Sequence, residues 1–419
     1  MYDLIGFKNT FFCWLLLLLS CGNHHQKEKL TQLSGSAEEL SSLNTNIIIA
    51  ANKTSSYLPM LMDKTVAVVA NQTSVIFKSK SNSDTSLEFT HLIDSMLSSK
   101  VKIEKVFAPE HGFRGKADAG EHVMDGIDTK TKLPVISLYG KNRKPSKEQL
   151  AGIDVVLFDI QDVGVRFYTY IATLQLVMEA CASNGTPVIV LDRPNPNANY
   201  IDGPTMEKEH RGFLGLTPIP LVYGMTIGEY ANMINNEGWL EGLEKADLTV
   251  ITLENYTHNS NYDPPIRPSP NLPNLQSIKL YPSLGLFEGT NINAGRGTEN
   301  QFQRFGAPFL DSTFFDFNYT PIPNFGSKTP KQLDKLCYGR DLSEIAYPNE
   351  VSLKWILEAY NQSSDKSLFF NKSGFTKHAG TEKLQEQIEA GWTEERIKSE
   401  WASDLETFKQ IRKKYLLYP

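Results

Sequence analysis

Short runs of Val, Ile and Leu that alternate with helical patterns constrain the fold of this chain more than any other feature of its sequence. The predicted strands lie at 66–70, 101–107, 133–138, 153–158, 187–191 and 248–253. Helical spacing over 89–97 and 170–183, and capping patterns that begin at Ser146 and Thr226, predict helices between them. Strands that are apolar on both faces and alternate with helices are typical of a parallel sheet covered on both sides. The sequence therefore predicts a Rossmann-like α/β domain.

The pattern changes beyond the last predicted strand, which indicates a second folded part. Residues 255–282 are rich in Pro, Asn and Ser and predict a long connection. A helix from Thr381 to Ala390 follows, and then an apolar stripe from Ile397 to Tyr415 on a final helix. At 419 residues the chain is long enough for about two to three domains. We predict a lipoprotein signal peptide at 1–21, a flexible tether at 22–55, a Rossmann-like N-terminal catalytic domain at 56–262 and a smaller C-terminal α+β domain at 263–419.

The N-terminal segment predicts export. The apolar run from Phe11 to Leu19 is shorter than the about 20 residues that span a bilayer, and is typical of a signal peptide. Ser20-Cys21 closes it and resembles a bacterial lipobox, in which the cysteine is lipidated. We therefore expect a lipoprotein anchored to the membrane only through Cys21, on the periplasmic or cell-surface side. A plain signal peptide or an uncleaved anchor is the alternative.

Charge and motifs exclude several classes of function. A net charge of −6 gives no basic footprint for nucleic acid. The sequence has no Gly-rich dinucleotide or phosphate loop, no nucleophile elbow and no zincin helix, so no cofactor is expected. The pairs Glu110-His111 and Glu121-His122 raise the alternative of a metal-dependent hydrolase. Adjacent loop residues rarely point at one ion, however, so no metal is expected.

Polar side chains that directly follow the predicted strands give the candidate binding residues. Ligands of an open parallel sheet bind outside the carboxyl ends of its strands. The candidates are Asn71, Arg114, Arg166, Tyr168, Asp192, Arg193 and Asn195. Acids, amides and aromatic rings together suit a carbohydrate, whose hydroxyls need polar partners and whose faces need apolar platforms. In the alternative interpretation, Asp192 only caps the next turn and Arg166 only pairs with an acid.

Glu110 is the strongest candidate for catalysis. It lies between Pro109 and His111, in a loop bounded by glycine that follows the apolar end of a predicted strand. A partly buried carboxyl group in such a place is suited to donate a proton to a leaving oxygen.

Long motifs from residue 107 to the end of the chain resemble a known family. They are Phe107 to Gly115, Leu157 to Tyr170, Leu191 to Pro196, Pro220 to Thr226, Tyr281 to Asn291, Gly295 to Thr298 and Arg412 to Tyr418. The chain is similar over essentially everything after the tether to the bacterial exo-β-N-acetylmuramidase family, NamZ-like proteins formerly called a domain of unknown function. The resemblance implies a two-domain glycoside hydrolase with its active cleft between the domains.

The implied reaction releases N-acetylmuramic acid (MurNAc) from the non-reducing ends of peptidoglycan fragments such as MurNAc-GlcNAc, for cell-wall turnover and salvage. A non-catalytic lipoprotein that binds cell-wall sugars is the alternative. The sequence makes no prediction of oligomeric state.

Roles for individual residues follow from this implied reaction. We expect Glu110 to be the general acid, with His111 orienting it. Asp162, Glu288 or the acetamido oxygen of the substrate is the second group, which leaves retaining, inverting and substrate-assisted mechanisms open.

The lactyl carboxylate of MurNAc calls for an arginine. Arg193 is the first choice for it, with Arg166 and Arg296 next, and Thr290 and Asn291 are expected to close over the sugar. In this interpretation, Arg193→Ala weakens muramic substrates more than glucosamine ones.

Overall fold

The computed structural model describes residues 47–78, 88–114, 125–242, 244–371 and 374–419. The predicted signal peptide, its Cys21 and most of the predicted tether lie outside these ranges, as do Gly115, Glu121 and His122. Those predictions therefore rest on the sequence alone.

Most strands belong to one large sheet. The strands are β1 (Thr65–Ala70), β2 (Val75–Phe77), β3 (Phe89–His91), β4 (Lys102–Ala108), β5 (Gly126–Ile127), β6 (Pro134–Ser137), β7 (Val155–Asp159), β8 (Val188–Leu191), β9 (Leu248–Ile251), β10 (Arg304–Ala307), β11 (Phe317–Tyr319) and β12 (Cys337–Asp341). The large sheet has seven strands in the order β5-β6-β4-β1-β7-β8-β9. Every pairing in it is parallel except that of β5 with β6. A smaller antiparallel sheet has the order β10-β12-β11, and β2 pairs with β3.

Helices connect the parallel strands and make up much of the C-terminal part. The α-helices are α1 (Thr54–Leu61), α2 (Leu92–Ser98), α3 (Lys147–Leu150), α4 (Tyr170–Asn184), α5 (Ile227–Asn236), α6 (Leu275–Leu284), α7 (Lys354–Asn361), α8 (Gly374–Ala379), α9 (Lys383–Glu389), α10 (Glu394–Ser399) and α11 (Ala402–Lys413). Both predicted capping boxes are present, at Ser146 before α3 and at Thr226 before α5. None of the described helices is both long enough and apolar enough to span a membrane.

The apolar character of the strands explains the position of the sheet. All residues of β7 and β8 are buried, as expected for strands with helices on both faces. One apolar cluster packs on one face of the sheet and includes Tyr57 and Tyr418. The cluster on the other face extends from Phe158 into the C-terminal part at Phe375. Residues 47–419 consequently form one compact unit. The prediction of an α/β fold with a smaller α+β part is confirmed.

Three local features differ from the sequence interpretation. The tether was expected to reach residue 55, but residues 47–55 are packed against the fold, because Ile48 pairs with Glu254 and Ala50 is fully buried. The long connection ends earlier, because Asn274 caps helix α6. The final apolar stripe lies on two helices rather than one, since the chain turns near Trp401 between α10 and α11.

Candidate active site

Glu110 lines a cavity of about 910 Å³, within the range typical of ligand sites. Both parts of the chain form its wall. The N-terminal part contributes Glu110, Tyr139, Arg143, Phe167, Thr169 and Phe213, and the C-terminal part contributes Tyr281, Glu288, Arg296, Lys331 and His378. Several N-terminal members follow the carboxyl ends of β4, β6 and β7, where a parallel sheet binds its ligands.

Hydroxyl groups from two neighbouring loops hold the carboxylate of Glu110. Thr169 Oγ1 donates a hydrogen bond of 2.8 Å to Glu110 Oε2. The Tyr139 hydroxyl also hydrogen bonds to Glu110, and burial together with that carboxylate keeps the pKa of Tyr139 above its usual value. Tyr139 therefore retains its proton and donates it to this bond. The two donors fix Glu110 at the cavity wall.

His111 holds the loop that carries Glu110 in position. Its backbone adopts a left-handed conformation with φ of 69°, in which His is more common than most side chains. The Nε2 atom of its buried ring lies 3.1 Å from the hydroxyl oxygen of Ser269. The contact attaches the loop after β4 to the segment that leads to the C-terminal part.

Glu288 is the second carboxylate of the cavity. It lies in a 3-10 helix, Gly285–Gly289, and its Oε2 is 3.2 Å from an Arg296 guanidinium nitrogen. Lys331 Nζ donates to the backbone oxygens of Phe287 and Glu288, both at 2.9 Å. Burial raises the pKa of Glu288, but Arg296 and Lys331 outweigh it and lower that pKa to about 2. Glu288 is therefore ionised at neutral pH.

His378 adds a neutral imidazole to the same wall. Its Nδ1 lies 2.9 Å from the carbonyl oxygen of Gly374, so Nδ1 carries the proton and donates it. Burial lowers the pKa of His378 despite the nearby Glu288. Because the proton of the neutral ring is on Nδ1, Nε2 is an acceptor, and the ring packs against Phe167 with centroids 5.5 Å apart.

Positive charge is concentrated around the cavity although the whole chain carries −6. Among the described residues that line it, six are Lys or Arg and only Glu110 and Glu288 are acidic. The cations are Arg143, Arg211, Arg296, Lys328, Lys331 and Lys377. Such a cavity attracts an anionic ligand. No group of three or more His, Cys, Asp or Glu in the described ranges is arranged to hold a metal ion.

The structure brings three of the predicted site residues together, namely Glu110, Glu288 and Arg296. Tyr168 lies directly behind them, with its ring centroid 6.1 Å from that of Tyr281. The remaining predicted residues do not line the cavity. Arg114 pairs with Asp128 at 2.8 Å, Asn71 bonds to Thr73, Asn195 bonds to Met225, Thr290 bonds to Phe287 and Asn291 bonds to Leu368.

Asp192 and Arg166 make structural contacts. Asp192 is fully buried and accepts hydrogen bonds from Thr226 Oγ1 and the Gly228 amide, which agrees with the capping alternative. Arg166 is also fully buried and donates to the carbonyls of Pro204, Ile219, His378 and Ala379. It therefore ties the loop after β7 to helix α8 instead of facing a ligand.

Arg193 is turned away from the cavity. Its guanidinium donates to both carboxylate oxygens of Asp159, at 2.6 Å and 2.8 Å, and both residues are buried. Asp159 is the last residue of β7 and Arg193 follows the adjacent strand β8, so the sheet itself brings them together. An arginine already neutralised in this way is a poor receptor for the lactyl carboxylate.

We expect Arg193→Ala to act on stability instead of on substrate preference. Removing one partner leaves the Asp159 carboxylate buried and unpaired, which costs about 3–5 kcal/mol. Urea unfolding should show this loss, and the double variant Arg193→Met with Asp159→Leu should recover much of it. Wild-type stability with a selective loss of muramic substrates would instead favour the sequence-based role of Arg193.

Asp162, a predicted catalytic group, is buried and does not line the cavity. Its Oδ2 accepts hydrogen bonds from the Tyr223 hydroxyl and, at 2.7 Å, from the Gly164 amide. Burial raises the pKa of Asp162 from 3.8 to about 6, although these hydrogen bonds oppose the shift. The folded state therefore binds this proton more tightly than the unfolded state. The resulting stability is fully present below pH 3.8 and is lost as pH rises through about 6.

Asp162→Asn should remove this pH dependence. Between pH 4 and pH 7 the free energy of unfolding of the wild type is expected to fall by a few kcal/mol relative to that of the variant. Chemical unfolding at several pH values measures the difference, and Glu104→Gln, at an exposed position on β4, is the control. Parallel profiles for the wild type and Asp162→Asn would contradict the assignment.

Sequence comparison identifies the family to which the chain belongs. A family model described as Exo-beta-N-acetylmuramidase NamZ, N-terminal, matches residues 66–276, and the corresponding C-terminal model matches residues 279–418. The chain belongs to the exo-beta-N-acetylmuramidase NamZ family. The family resemblance predicted from the motifs is thereby confirmed.

Individual relatives of the NamZ family agree. The chain is 40% identical over 383 residues to the peptidoglycan beta-N-acetylmuramidase NamZ of Bacillus subtilis strain 168, covering 86% of this chain and 89% of that protein. A DUF1343 family crystal structure from Bacteroides fragilis is 40% identical with a TM-score of 0.79. A second from the same organism is 27% identical with a TM-score of 0.74. In both cases the match covers 89% of this chain and 99% of the other.

Several cavity residues were not among the sequence-predicted site residues. Tyr139 follows β6, so the strand-end argument already pointed to its position. Lys331 and His378 lie in C-terminal segments where neither periodicity nor spacing marks a site. Phe213 lies at the tip of a turn, and no sequence signal separated it from other loop aromatics.

Proposed function

We propose that this protein is an exo-acting β-N-acetylmuramidase, a glycoside hydrolase that releases MurNAc from the non-reducing ends of peptidoglycan fragments during cell-wall turnover and salvage. The observation that carries the proposal is the pair Glu110 and Glu288 in one cation-lined cavity of a NamZ family member. Most glycoside hydrolases use two carboxyl groups beside the bond to be cleaved.

Glu110 acts as the general acid in this proposal. Its fixed carboxyl group, held by Thr169 and Tyr139, transfers a proton to the glycosidic oxygen as the bond to the departing sugar breaks. The His111–Ser269 contact supports the loop that carries it.

Glu288 supplies the ionised carboxylate that faces the developing positive charge at the sugar. Arg296 and Lys331 keep it ionised. It either bonds to the anomeric carbon, as in a retaining enzyme, or activates water, as in an inverting enzyme. The anomer that forms first, observed by NMR, distinguishes retention from inversion.

The excess of positive charge supports a substrate with a carboxylate, and the lactyl group of MurNAc provides one. We assign this recognition to the cavity cations other than Arg296, which pairs with Glu288, and not to Arg193, whose charge is neutralised by Asp159. The non-catalytic alternative is not supported, because the matching family model and the Bacillus relative are both described as muramidases. Export and lipid anchoring through Cys21 remain proposals from the sequence.

The direct test is hydrolysis of purified MurNAc-GlcNAc by the protein, followed by chromatography of free MurNAc. We expect release from this disaccharide and at least about a hundredfold slower cleavage of GlcNAc-GlcNAc, which lacks the carboxylate. Equal cleavage of both disaccharides, or measurable binding without cleavage, would overturn the proposal.

A further inference from the structure

The catalytic cavity borders a second cavity of about 400 Å³ at a ridge, where Gly212 and Phe213 line both cavities. The ridge is the turn from Gly212 to Gly215, closed by two backbone hydrogen bonds of 3.1 Å and 2.8 Å between these residues. Gly215 packs so closely that an added Cβ would come within 2.6 Å of Met206. The turn therefore holds a fixed position, with Phe213 at its tip.

Phe213 and Glu288 line the same cavity as Glu110 and are connected to it through different residues. The Phe213 ring centroid is 6.1 Å from that of Tyr139, whose hydroxyl bonds to Glu110. Glu110 also interacts electrostatically with Arg296, the partner of Glu288. Glu110 thus has a carboxylate neighbour through Arg296 and an aromatic neighbour through Tyr139, and we call the part of the cavity at Phe213 its aromatic end. Since the second carboxylate acts on the MurNAc that is released and the acid protonates the oxygen that departs, we place the departing sugars at the aromatic end.

The second cavity continues from this aromatic end. Phe213 and Arg143 line both cavities, and the Arg143 guanidinium lies 4.4 Å from the Phe213 ring centroid. Lys141 is exposed beside it and forms no ion pair with another described residue. Lys144 is neutralised by Glu179 and Glu241, at 3.0 Å and 3.1 Å. Lys141 and Arg143 are consequently the cations available there.

We propose that this ridge and second cavity form the binding site for the leaving part of the glycan. Phe213 packs against the sugar directly beyond the cleaved bond, because an aromatic ring covers the apolar face of a sugar. The following sugar of an alternating MurNAc and GlcNAc chain is again muramic acid. Its lactyl carboxylate meets Lys141 and Arg143 in the second cavity. This inference rests on the proposed muramidase function.

The consequence is a preference for longer fragments. The protein is expected to have a kcat/KM about tenfold higher for the tetrasaccharide MurNAc-GlcNAc-MurNAc-GlcNAc than for the disaccharide MurNAc-GlcNAc, since only the former reaches the second cavity. In the double variant Lys141→Ala with Arg143→Ala this ratio should fall toward one. Lys147→Ala, an exposed lysine on the neighbouring helix α3, should keep the wild-type ratio.

Phe213→Ala tests the inference independently, because both substrates place a sugar next to the cleaved bond. It should lower kcat/KM about tenfold on both, whereas Phe213→Tyr should retain most of it. The inference is overturned if the wild type has equal kcat/KM for the tetrasaccharide and the disaccharide, or if the Lys141→Ala with Arg143→Ala variant keeps the wild-type ratio of these two values. Either result leaves the muramidase function intact. Absence of MurNAc release from both substrates overturns the function itself and this inference with it.

Discussion

Glu110→Gln is expected to lower kcat/KM for MurNAc release by about 10³-fold, within the about 10²–10⁴-fold that a general acid contributes. The Gln amide can still bond to both hydroxyls, because its oxygen accepts from one of them and its NH2 group donates to the hydroxyl oxygen of the other. The cavity should therefore keep its shape and bind substrate with an almost unchanged Kd, while the proton donor is lost. Steady-state kinetics on MurNAc-GlcNAc, with calorimetric binding to the variant, measures both effects.

A substrate with a good leaving group sharpens this test. Aryl glycosides of MurNAc with an acidic phenol need little protonation as they depart. Glu110→Gln should therefore lose much less activity on them than on the disaccharide. The exposed Glu104→Gln is the matched control, since it makes the same chemical change at the other end of the same segment. Equal losses on both substrates would place the proton donor elsewhere.

Glu288→Gln is expected to lower kcat by about 10²–10³-fold, the magnitude typical of removing one charge that stabilises a transition state. Arg296 then loses its carboxylate partner and the cavity becomes more positive. A substrate that carries a carboxylate should bind at least as tightly as before. We thus expect kcat to fall without an increase in KM, which distinguishes lost catalysis from lost binding.

Glu299→Gln is the control for this variant, because Glu299 is exposed and near Arg296 in the sequence. It should behave as wild type. If Glu288→Gln retained its kcat, the second group would have to be Asp162 or the acetamido oxygen of the substrate. Asp162 is the weaker of these, since it is buried, does not line the cavity, and its Oδ2 accepts hydrogen bonds from Tyr223 and Gly164.

Much of the fold follows from the sequence because local rules and burial agree along the chain. The Val and Ile runs at 66–70 and 153–158 form adjacent strands at the centre of the sheet. The Ser146 and Thr226 patterns begin helices as predicted. Trp401 shows the limit of periodicity: the apolar spacing continues through it although the backbone turns. The spacing of apolar residues indicates which face of a helix is buried, but it does not indicate where the helix ends.

The candidate site was only partly predictable. Glu110 was found because the carboxyl end of a parallel strand is a local landmark that marks a ligand edge. Arg193 follows a strand in the same way, but its charge is balanced by Asp159 from the next strand, and that pairing exists only once the sheet forms. Lys331 reaches Glu288 from a distant loop. Such contacts across the chain are fixed by tertiary packing.

The most direct test of the account is the identity of the first product from MurNAc-GlcNAc-MurNAc-GlcNAc. Mass spectrometry of an early time course, read together with the Glu110→Gln variant, gives the answer. We predict that free MurNAc and the trisaccharide GlcNAc-MurNAc-GlcNAc form together, and that both are lost in the variant. Disaccharides as first products, or MurNAc release that survives at the wild-type rate in Glu110→Gln, would contradict an exo-muramidase whose general acid is Glu110.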